Sequence, residues 1–441
     1  MAIQTLRKLS FSKVLTFFVL ITMVVSMPSL SSAARQDKSS SRDSLYNFDT
    51  GLYAFYSGDY EEAVKHFSRL AQQGDARAQY YWAYMQDIGK GTNKDPFGAA
   101  RWYKRSADNG YIPAQAYLGY IYSIGKGVEQ NDVEAVRWYT KAAQQGDHVA
   151  QNNLGTLIRV GRGWQKDELL AAQWLMQSAM QGNDQAQYNL ASMYLNGEGI
   201  KENPEEALRW YQISAARGNK FSQAAMGYMY HKGMGVDKDL AQAQLWYERS
   251  AQQGYAIAQY NLAQFYEKGL AGLEKLYSDA AIWYYHAAKQ GIVEAQMRLA
   301  EMYKEGQGVE PDPKKVLKWY KAADKQNHIP AKLALAKLYR NGKTVDQDFG
   351  KASMLFEAAA NAGNPEAQLE LGKMFMDGLG KRKQAEKALL WISLAMAELP
   401  IGDLKDEAVI LRTQLVSQME QRDIDRVKKR IKEWHAVVVM N

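Results

Sequence analysis

The sequence predicts an all-α, right-handed superhelical solenoid of about nine to ten helix-turn-helix repeats with a C-terminal helical cap. Three observations predict it: tryptophan recurs about every 36 residues, a Gly-x-Gly pair interrupts each period, and a single glycine ends it. A fixed period of this length indicates one helical hairpin copied many times, because each copy buries its apolar face against its neighbours. The tryptophans on this ladder are Trp102, Trp138, Trp174, Trp210, Trp246, Trp283, Trp319 and Trp391.

Each repeat is predicted to form two helices, as in residues 183–218. In the first helix, apolar residues such as Ala186 and Leu190 recur at helical spacing, and the ninth position of every repeat is Gly or Ala. This restriction predicts that another helix presses against the ninth position. In the second helix, Trp210 and Tyr211 belong to one apolar face. The tryptophan is therefore expected to be an interior wedge that locks the second helix to its neighbours.

Polar and glycine residues mark the helix ends. The Gly-x-Gly pairs and terminal glycines supply the turns, because glycine adopts left-handed geometry without a steric cost. Asp or Asn before each second helix is the expected N-cap, accepting hydrogen bonds from free backbone N–H groups. These predicted caps are Asp95, Asn131, Asp167, Asn203, Asp239, Asp312 and Asp348. An inserted residue displaces the cap of one repeat, and Ser278 is the expected substitute there.

These features together form a known motif. The pattern A-Q-x-x-L-G/A-x-x-Y-x-x-G-x-G, then D/N, then A-x-x-W-Y-x-x-A-A-x-x-G resembles the Sel1-like repeat (SLR), a relative of the tetratricopeptide repeat (TPR). The resemblance covers residues 47–400. It implies a TPR-like solenoid of an exported bacterial protein that binds protein partners and has no enzymatic activity. One repeat matches the motif at Ala114, Gln115, Leu118, Gly119, Tyr122, Gly125, Gly127, Ala135, Trp138, Tyr139, Ala142, Ala143 and Gly146.

The first 34 residues are predicted to be a cleaved signal peptide. Arg7, Lys8 and Lys13 precede a 14-residue apolar run, and small residues follow it, with cleavage expected after Ala33 or Ala34. Residues 35–46 are rich in serine and charge and predict a flexible leader. The protein is therefore expected in the periplasm or outside the cell, and an uncleaved signal acting as a membrane anchor stays open.

The sequence beyond the repeats predicts a capping segment over residues 401–441. Leu404, Ala408 and Leu415 lie on one helical stripe, and Ile424 and Val427 on another. Terminal repeats expose a face that a cap must cover. This segment is basic between residues 426 and 432, which is typical of a solvated cap face. Contact of this basic helix with anionic lipid or an acidic partner is the alternative.

Composition and motifs exclude several kinds of chemistry. The chain has no Cys, so thiolate metal sites and cysteine nucleophiles are absent. Its net charge of +7 includes the three bases of the signal, which leaves too small a surplus for nucleic-acid binding. The six histidines show no metal-ligand spacing, and the Gly-x-Gly pairs are turns rather than phosphate loops. No catalytic residue, metal or cofactor is expected.

Two further ladders run through the first helices. A glutamine recurs at the fifth position, and hydrogen bonding between repeats is the favoured role over ligand binding. Tyrosines at the sixth and tenth positions are expected on the concave face, where rigid amphipathic rings suit partner binding. Tolerated packing between repeats is the alternative. The candidate partner-binding residues are Tyr80, Tyr84, Tyr120, Tyr188, Tyr228 and Tyr260.

The predicted function is therefore that of an exported, non-enzymatic scaffold or adaptor. It would bind a protein partner through the groove of the array, for envelope regulation, cell-surface assembly or host contact. The alternatives are an envelope enzyme or enzyme subunit acting on peptidoglycan or exopolysaccharide, and a polysaccharide-binding module. For the enzyme, Glu301 and Glu305 are the nearest candidate carboxylate pair.

Overall fold

A computed structural model describes residues 46–272 and 274–440, and the side chains up to residue 434. The predicted signal peptide and nearly all of the predicted leader lie outside these residues. The described part of the chain contains 22 α-helices and no strand, which confirms the all-α repeat fold. None of these helices is both long and apolar enough to cross a membrane.

The chain divides into two compact units, residues Met1–Lys238 and Asp239–Asn441. The first unit contains α1 (Phe48–Ser57), α2 (Tyr60–Gln72), α3 (Ala76–Ile88), α4 (Pro96–Asp108), α5 (Ile112–Ile124), α6 (Asp132–Gln144), α7 (His148–Val160), α8 (Glu168–Met180), α9 (Asp184–Asn196), α10 (Pro204–Ala216) and α11 (Lys220–Lys232). The second unit contains α12 (Leu240–Gln252), α13 (Ala256–Lys268), α14 (Tyr277–Lys289), α15 (Val293–Glu305), α16 (Pro313–Asp324), α17 (Ile329–Asn341), α18 (Phe349–Asn361), α19 (Pro365–Asp377), α20 (Ala385–Glu398), α21 (Asp403–Gln418) and α22 (Gln421–Met440).

Within each unit, every repeat is a hairpin whose two helices meet at the small ninth position. A β-carbon built at Gly119 of α5 would lie 2.7 Å from the ring of Tyr139 in α6. A β-carbon at Gly372 of α19 would lie 2.5 Å from the side chain of Ile392 in α20. The predicted close approach of a second helix at this position is therefore confirmed.

The residue after each tryptophan fills the interior. This following residue is buried in every repeat. Of the eight tryptophans of the ladder, only Trp138, Trp319 and Trp391 are buried. The predicted interior position is wrong for Trp102, Trp174, Trp210, Trp246 and Trp283, which are half-buried. One residue along a helix corresponds to a rotation of about 100°, so both residues cannot point at the first helix. The buried residues that follow the tryptophans are Tyr103, Tyr139, Leu175, Tyr211, Tyr247, Tyr284, Tyr320 and Ile392, with Phe356 after Leu355.

The predicted N-caps are confirmed at all seven positions, where the Asp or Asn side chain accepts from a backbone N–H of the first turn. The prediction for Ser278 is wrong. Helix α14 begins at Tyr277, its N-cap is Leu276, and no side chain caps it. The inserted residue shifts the cap so that Ser278 lies inside the first turn, where its hydroxyl contacts Asp279 at 3.2 Å.

The glutamine ladder joins consecutive repeats, as predicted. The side-chain amide of Gln151, for example, donates to the carbonyl of Ala143 in the preceding repeat at 3.1 Å. Lys332 takes the glutamine's place in one repeat and pairs with Asp324 at 2.5 Å. The same bond to the carbonyl eight residues earlier is made by Gln79, Gln115, Gln187, Gln223, Gln259, Gln296 and Gln368.

Helices α21 and α22 cover the last repeat of the second unit. Ala408 and Leu415 of α21 and Val427 of α22 are buried. The ring of Trp434 in α22 lies edge-on against Trp391 of α20, with centroids 5.1 Å apart. The predicted helical cap is therefore present, and its apolar stripes cover a hairpin that has no further repeat to pack on.

Candidate partner-binding surface

The tenth-position residues of the first unit form a row of hydroxyl-bearing side chains. We call this row, Tyr84, Tyr120, Thr156, Ser192 and Tyr228, the first-helix face. The three tyrosines and Thr156 are half-buried, and Ser192 is buried. The predicted partner-binding residues Tyr84, Tyr120 and Tyr228 therefore present part of their rings to solvent.

The sixth-position tyrosines lie deeper than expected. The prediction that Tyr80 is exposed is wrong, because only 5% of it is accessible. Its ring is enclosed by Tyr103 of α4 and Tyr111 before α5, with centroids 5.4 and 5.5 Å away. Burial raises the pKa of the Tyr80 hydroxyl well above its usual value. Tyr80 is thus a packing residue between repeats.

Tyr188 and Tyr260 are half-buried and also contact neighbouring helices. The Tyr188 ring lies 5.6 Å from Tyr211, and burial raises its pKa to about 12. The Tyr260 ring lies 5.8 Å from Tyr284, and Gln264 donates to its hydroxyl at 2.7 Å. Packing between helices therefore accounts for the sixth position, while the partner-binding role of these two tyrosines stays a prediction.

A buried carboxylate, that of Asp87, binds Tyr117, whose ring packs against Tyr120 of the first-helix face. Asp87 of α3 is 3% exposed and accepts hydrogen bonds from the Tyr117 hydroxyl at 2.5 Å and from Lys126 at 2.6 Å. A charge this deeply buried is stable only when it is paired. This pair ties α3 to the next hairpin, and it was not among the residues predicted from the sequence.

A second ion pair occupies the equivalent positions two repeats later, with the base and the acid exchanged. Arg159 is buried at the end of α7, and it donates to Glu198 at 2.7 Å and to Ser192 at 3.3 Å. Burial favours a higher pKa for Glu198, but the hydrogen bond and charge of Arg159 outweigh it and lower that pKa. Both pairs join residues 39 positions apart, one period plus three, and that spacing is the signal that would have revealed them.

The tenth position of the second unit holds Gln264 and then three charged residues, and each of these charges is paired within the unit. Lys337 lies 2.5 Å from Glu366, and Lys373 lies 2.7 Å from Glu407 of α21. Glu301 binds Arg298 at 3.1 Å, whereas Glu305 is exposed. Of the two candidate carboxylates of the enzyme hypothesis, one is therefore engaged in an ion pair and the other faces solvent. Across the described residues, no group of His, Cys, Asp or Glu has the arrangement of a metal site.

Comparison with known proteins identifies the repeat. A family model described as Sel1 repeat matches ten consecutive segments, in agreement with the nine full repeats and one shorter repeat predicted. None of the curated proteins compared with the chain matches it. The matched segments are residues 44–75, 76–111, 112–147, 148–183, 184–219, 220–255, 256–292, 293–328, 329–364 and 365–396.

Two solved structures share the fold at substantial sequence identity. One is c5321, a protective antigen present in uropathogenic Escherichia coli strains, with 28% identity and a TM-score of 0.55 over 88% of this chain and 90% of that protein. The other is a Sel1 repeat protein from Oxalobacter formigenes, with 33% identity and a TM-score of 0.57 over 66% of this chain and 86% of that protein. Sel1 repeat proteins generally mediate protein–protein interactions and are typically non-enzymatic. The family match extends over most of the sequence, and the chain belongs to the Sel1 repeat family.

Proposed function

We propose that this protein is an exported scaffold without enzymatic activity that binds a protein partner through the first-helix face of its first unit. The observation that carries the proposal is the set of partly exposed tyrosines at the tenth position, Tyr84, Tyr120 and Tyr228. Tyrosine offers a large apolar ring and a hydroxyl at a low entropic cost, and it is enriched at binding hot spots.

Two of the three tyrosines of this face, Tyr84 and Tyr120, are held in place by neighbouring rings before any partner arrives. The Tyr84 ring lies edge-on to Phe55, with centroids 5.9 Å apart, and the Tyr120 ring lies 5.5 Å from Tyr117. Tyr117 is itself fixed by its hydrogen bond to Asp87. Preorganised side chains lose little conformational entropy on binding, which favours affinity. The paired charges of the second unit offer no comparable surface.

Export is supported by the sequence of the first 34 residues. A positive segment, an apolar run and small residues follow in the order of a secretory signal. The likeness to a protective antigen of uropathogenic Escherichia coli supports host contact among the roles that the repeat permits. Periplasmic residence and secretion are both compatible with this signal.

Cleavage of the signal is directly measurable. We expect the protein recovered from cells to begin at Ala34 or Arg35 and to occur in the periplasmic or secreted fraction. N-terminal sequencing of the fractionated protein tests this. Recovery of an intact N-terminus in the membrane fraction would show that the signal is retained as an anchor.

Photocrosslinking in living cells tests the partner surface. A benzoylphenylalanine at position 120 is expected to give a discrete adduct with one protein other than this chain itself, identified by mass spectrometry. The same probe at position 144, exposed at the far end of the second helix of that repeat, is the matched control and should give no such adduct. Adding Tyr228→Ala should lower the adduct yield about tenfold, the loss expected when a hot-spot ring is removed.

The melting temperature separates binding from folding. Tyr228→Ala removes a half-buried ring at a cost of about 1–2 kcal/mol, so the melting temperature is expected to fall by only a few degrees. A protein that unfolds on this change would show that Tyr228 is a core residue. Equal adducts from positions 120 and 144 would show that the first-helix face is not the binding surface.

A further inference from the structure

We propose that a second surface of the first unit, which borders the first-helix face, binds a second copy of this chain. This surface, which we call the apolar edge, consists of two rows of exposed apolar side chains and one tryptophan. Phe97, Val133 and Leu169 begin second helices and are 71%, 63% and 56% exposed. The other members are exposed as well: Ile88, Ile124 and Val160, which end first helices, and Trp164.

The two rows lie at the same end of their hairpins. In each of these repeats, the N-cap N–H of the second helix donates to a carbonyl in the last turn of the first. Asp95 donates to Gln86 at 2.9 Å, and Asn131 donates to Tyr122 at 2.9 Å. In each of these repeats, the exposed apolar residue of each row lies two positions after the residue that makes this bond, as Ile88 follows Gln86 and Phe97 follows Asp95. In the third repeat, the loop between the two rows contains Trp164.

Adjacent hairpins touch along this edge. A β-carbon at Gly127 would overlap the carbonyl of Pro96, directly before Phe97. A β-carbon at Gly163, directly before Trp164, would lie 2.9 Å from the backbone nitrogen of Val133. The loop of each repeat therefore rests on the second helix of the preceding one, and the exposed apolar side chains form one continuous patch.

The patch is confined to three consecutive repeats. In the next repeat, Asn196 and Glu205 occupy the positions that hold Val160 and Leu169. A contiguous apolar patch that ends at polar residues is typical of an interaction site. Scattered exposed apolar residues would need no explanation, but two rows that start and stop together do.

The regular spacing makes the apolar edge complementary to itself. Phe97, Val133 and Leu169 are separated by equal steps of one repeat. A two-fold axis through Val133 therefore places Val133 against its own copy and Phe97 against Leu169 of the second chain. A symmetric dimer requires such a self-complementary patch. Seven apolar side chains, two of them aromatic, supply a large part of the roughly 800 Å² that each partner buries in a standard interface.

The charges around the edge favour a second copy over an anionic membrane or a highly charged protein. Arg162 pairs with Asp132 at 2.7 Å, and Lys166 pairs with Glu168 at 2.6 Å. The loops along the edge carry both signs in equal number, so two copies meet without a surplus of one charge. The bases are Lys90, Lys94, Lys126, Arg162 and Lys166, and the acids are Asp95, Glu129, Asp132, Asp167 and Glu168. A membrane-binding edge would need a surplus of bases beside its apolar residues.

Disulfide trapping tests the geometry, since the chain contains no Cys. Val133→Cys is expected to form a disulfide-linked dimer on mild oxidation, because a residue at the axis brings its β-carbons within about 4 Å of each other. A mixture of Phe97→Cys and Leu169→Cys proteins should crosslink, while each alone should crosslink poorly. Met180→Cys is the matched control, since Met180 is exposed at the other end of the helix that begins beside Leu169.

Sedimentation analysis of the full mature chain tests the association itself. We expect a dimer at micromolar concentration, and we expect Val133→Glu to weaken it at least 100-fold by placing two carboxylates at the axis. Met180→Glu should leave the dimer unchanged. A wild-type protein that stays monomeric, or a dimer that tolerates Val133→Glu, would overturn the proposal. So would a monomer that binds lipid vesicles only while Val133 is intact.

The identity of the crosslinked protein separates this proposal from the proposed function, because Ile124 lies one turn beyond Tyr120 on the same helix. The first-helix face is unchanged in the Val133→Glu protein, so crosslinking from position 120 is expected to continue in that background. Loss of dimers with retained crosslinking supports both proposals. Dimers without a specific adduct from position 120 would support this inference and contradict the proposed partner surface.

Discussion

Replacing Tyr211 with alanine is expected to lower the free energy of unfolding by about 3–5 kcal/mol, the range for a large aromatic residue removed from a core. Tyr211 is 1% exposed and contacts the ring of Tyr188. The same change at its neighbour Trp210, which is half-buried, is expected to cost only about 1–2 kcal/mol, because less apolar surface is removed from a water-free environment. Urea unfolding followed by circular dichroism measures both values.

The ratio of the two costs decides which residue locks the hairpin. If Trp210→Ala costs as much as Tyr211→Ala or more, the tryptophan is the interior wedge that the ladder first indicated. Hydrogen exchange adds a local readout, since repeats in an array contribute separately to stability. Loss of protection in α9 and α10 alone would place the effect within this repeat.

Repetition made the fold predictable. A residue type required by the backbone or by packing between repeats appears at the same place in most of the repeats, so the requirement is visible in the sequence without coordinates. Gln151 and its equivalents show this: a regular buried amide predicts a bond between repeats, and each one donates to the preceding repeat. The N-caps, such as Asp95, follow the same logic.

Periodicity identifies the face of a helix but not the depth of each residue on it. Trp210 and Tyr211 share one apolar face, and only the contact with the first helix shows that the tyrosine points inward. Tyr80 and Tyr84 lie one turn apart on α3, yet only Tyr80 is enclosed by the next hairpin. Depth depends on the angle between hairpins, which no residue spacing encodes.

The supporting ion pairs were missed for a different reason. Asp87 with Lys126 and Arg159 with Glu198 occupy equivalent positions, but the charges are reversed between them. A search for one residue type at one repeat position therefore does not detect these pairs, because an acid occupies the position in one repeat and a base in another. A search for opposite charges separated by 39 residues would have identified these pairs, whereas a search for the same residue type every 36 residues does not.

Gly163→Ala is expected to lower the free energy of unfolding by about 2–5 kcal/mol. Gly163 has a φ of +71°, and left-handed geometry costs other residues about 1–2 kcal/mol. An added β-carbon would also overlap the carbonyl of Asp132 in the preceding repeat, and such overpacking costs a further 1–3 kcal/mol or so. The matched control is Gly146→Ala, where φ is +91° but no atom lies within 4 Å. This control should cost only about 1–2 kcal/mol.

Thermal unfolding of the two variants separates two roles that glycine has in every repeat. The terminal glycine, represented by Gly146, is required only for its backbone angle. The second glycine of the Gly-x-Gly pair, represented by Gly163, is also the point where one hairpin rests on the preceding one. Equal costs at the two positions would mean that the hairpins separate slightly to admit a methyl group. The close contact along the apolar edge would then not be what holds consecutive repeats together.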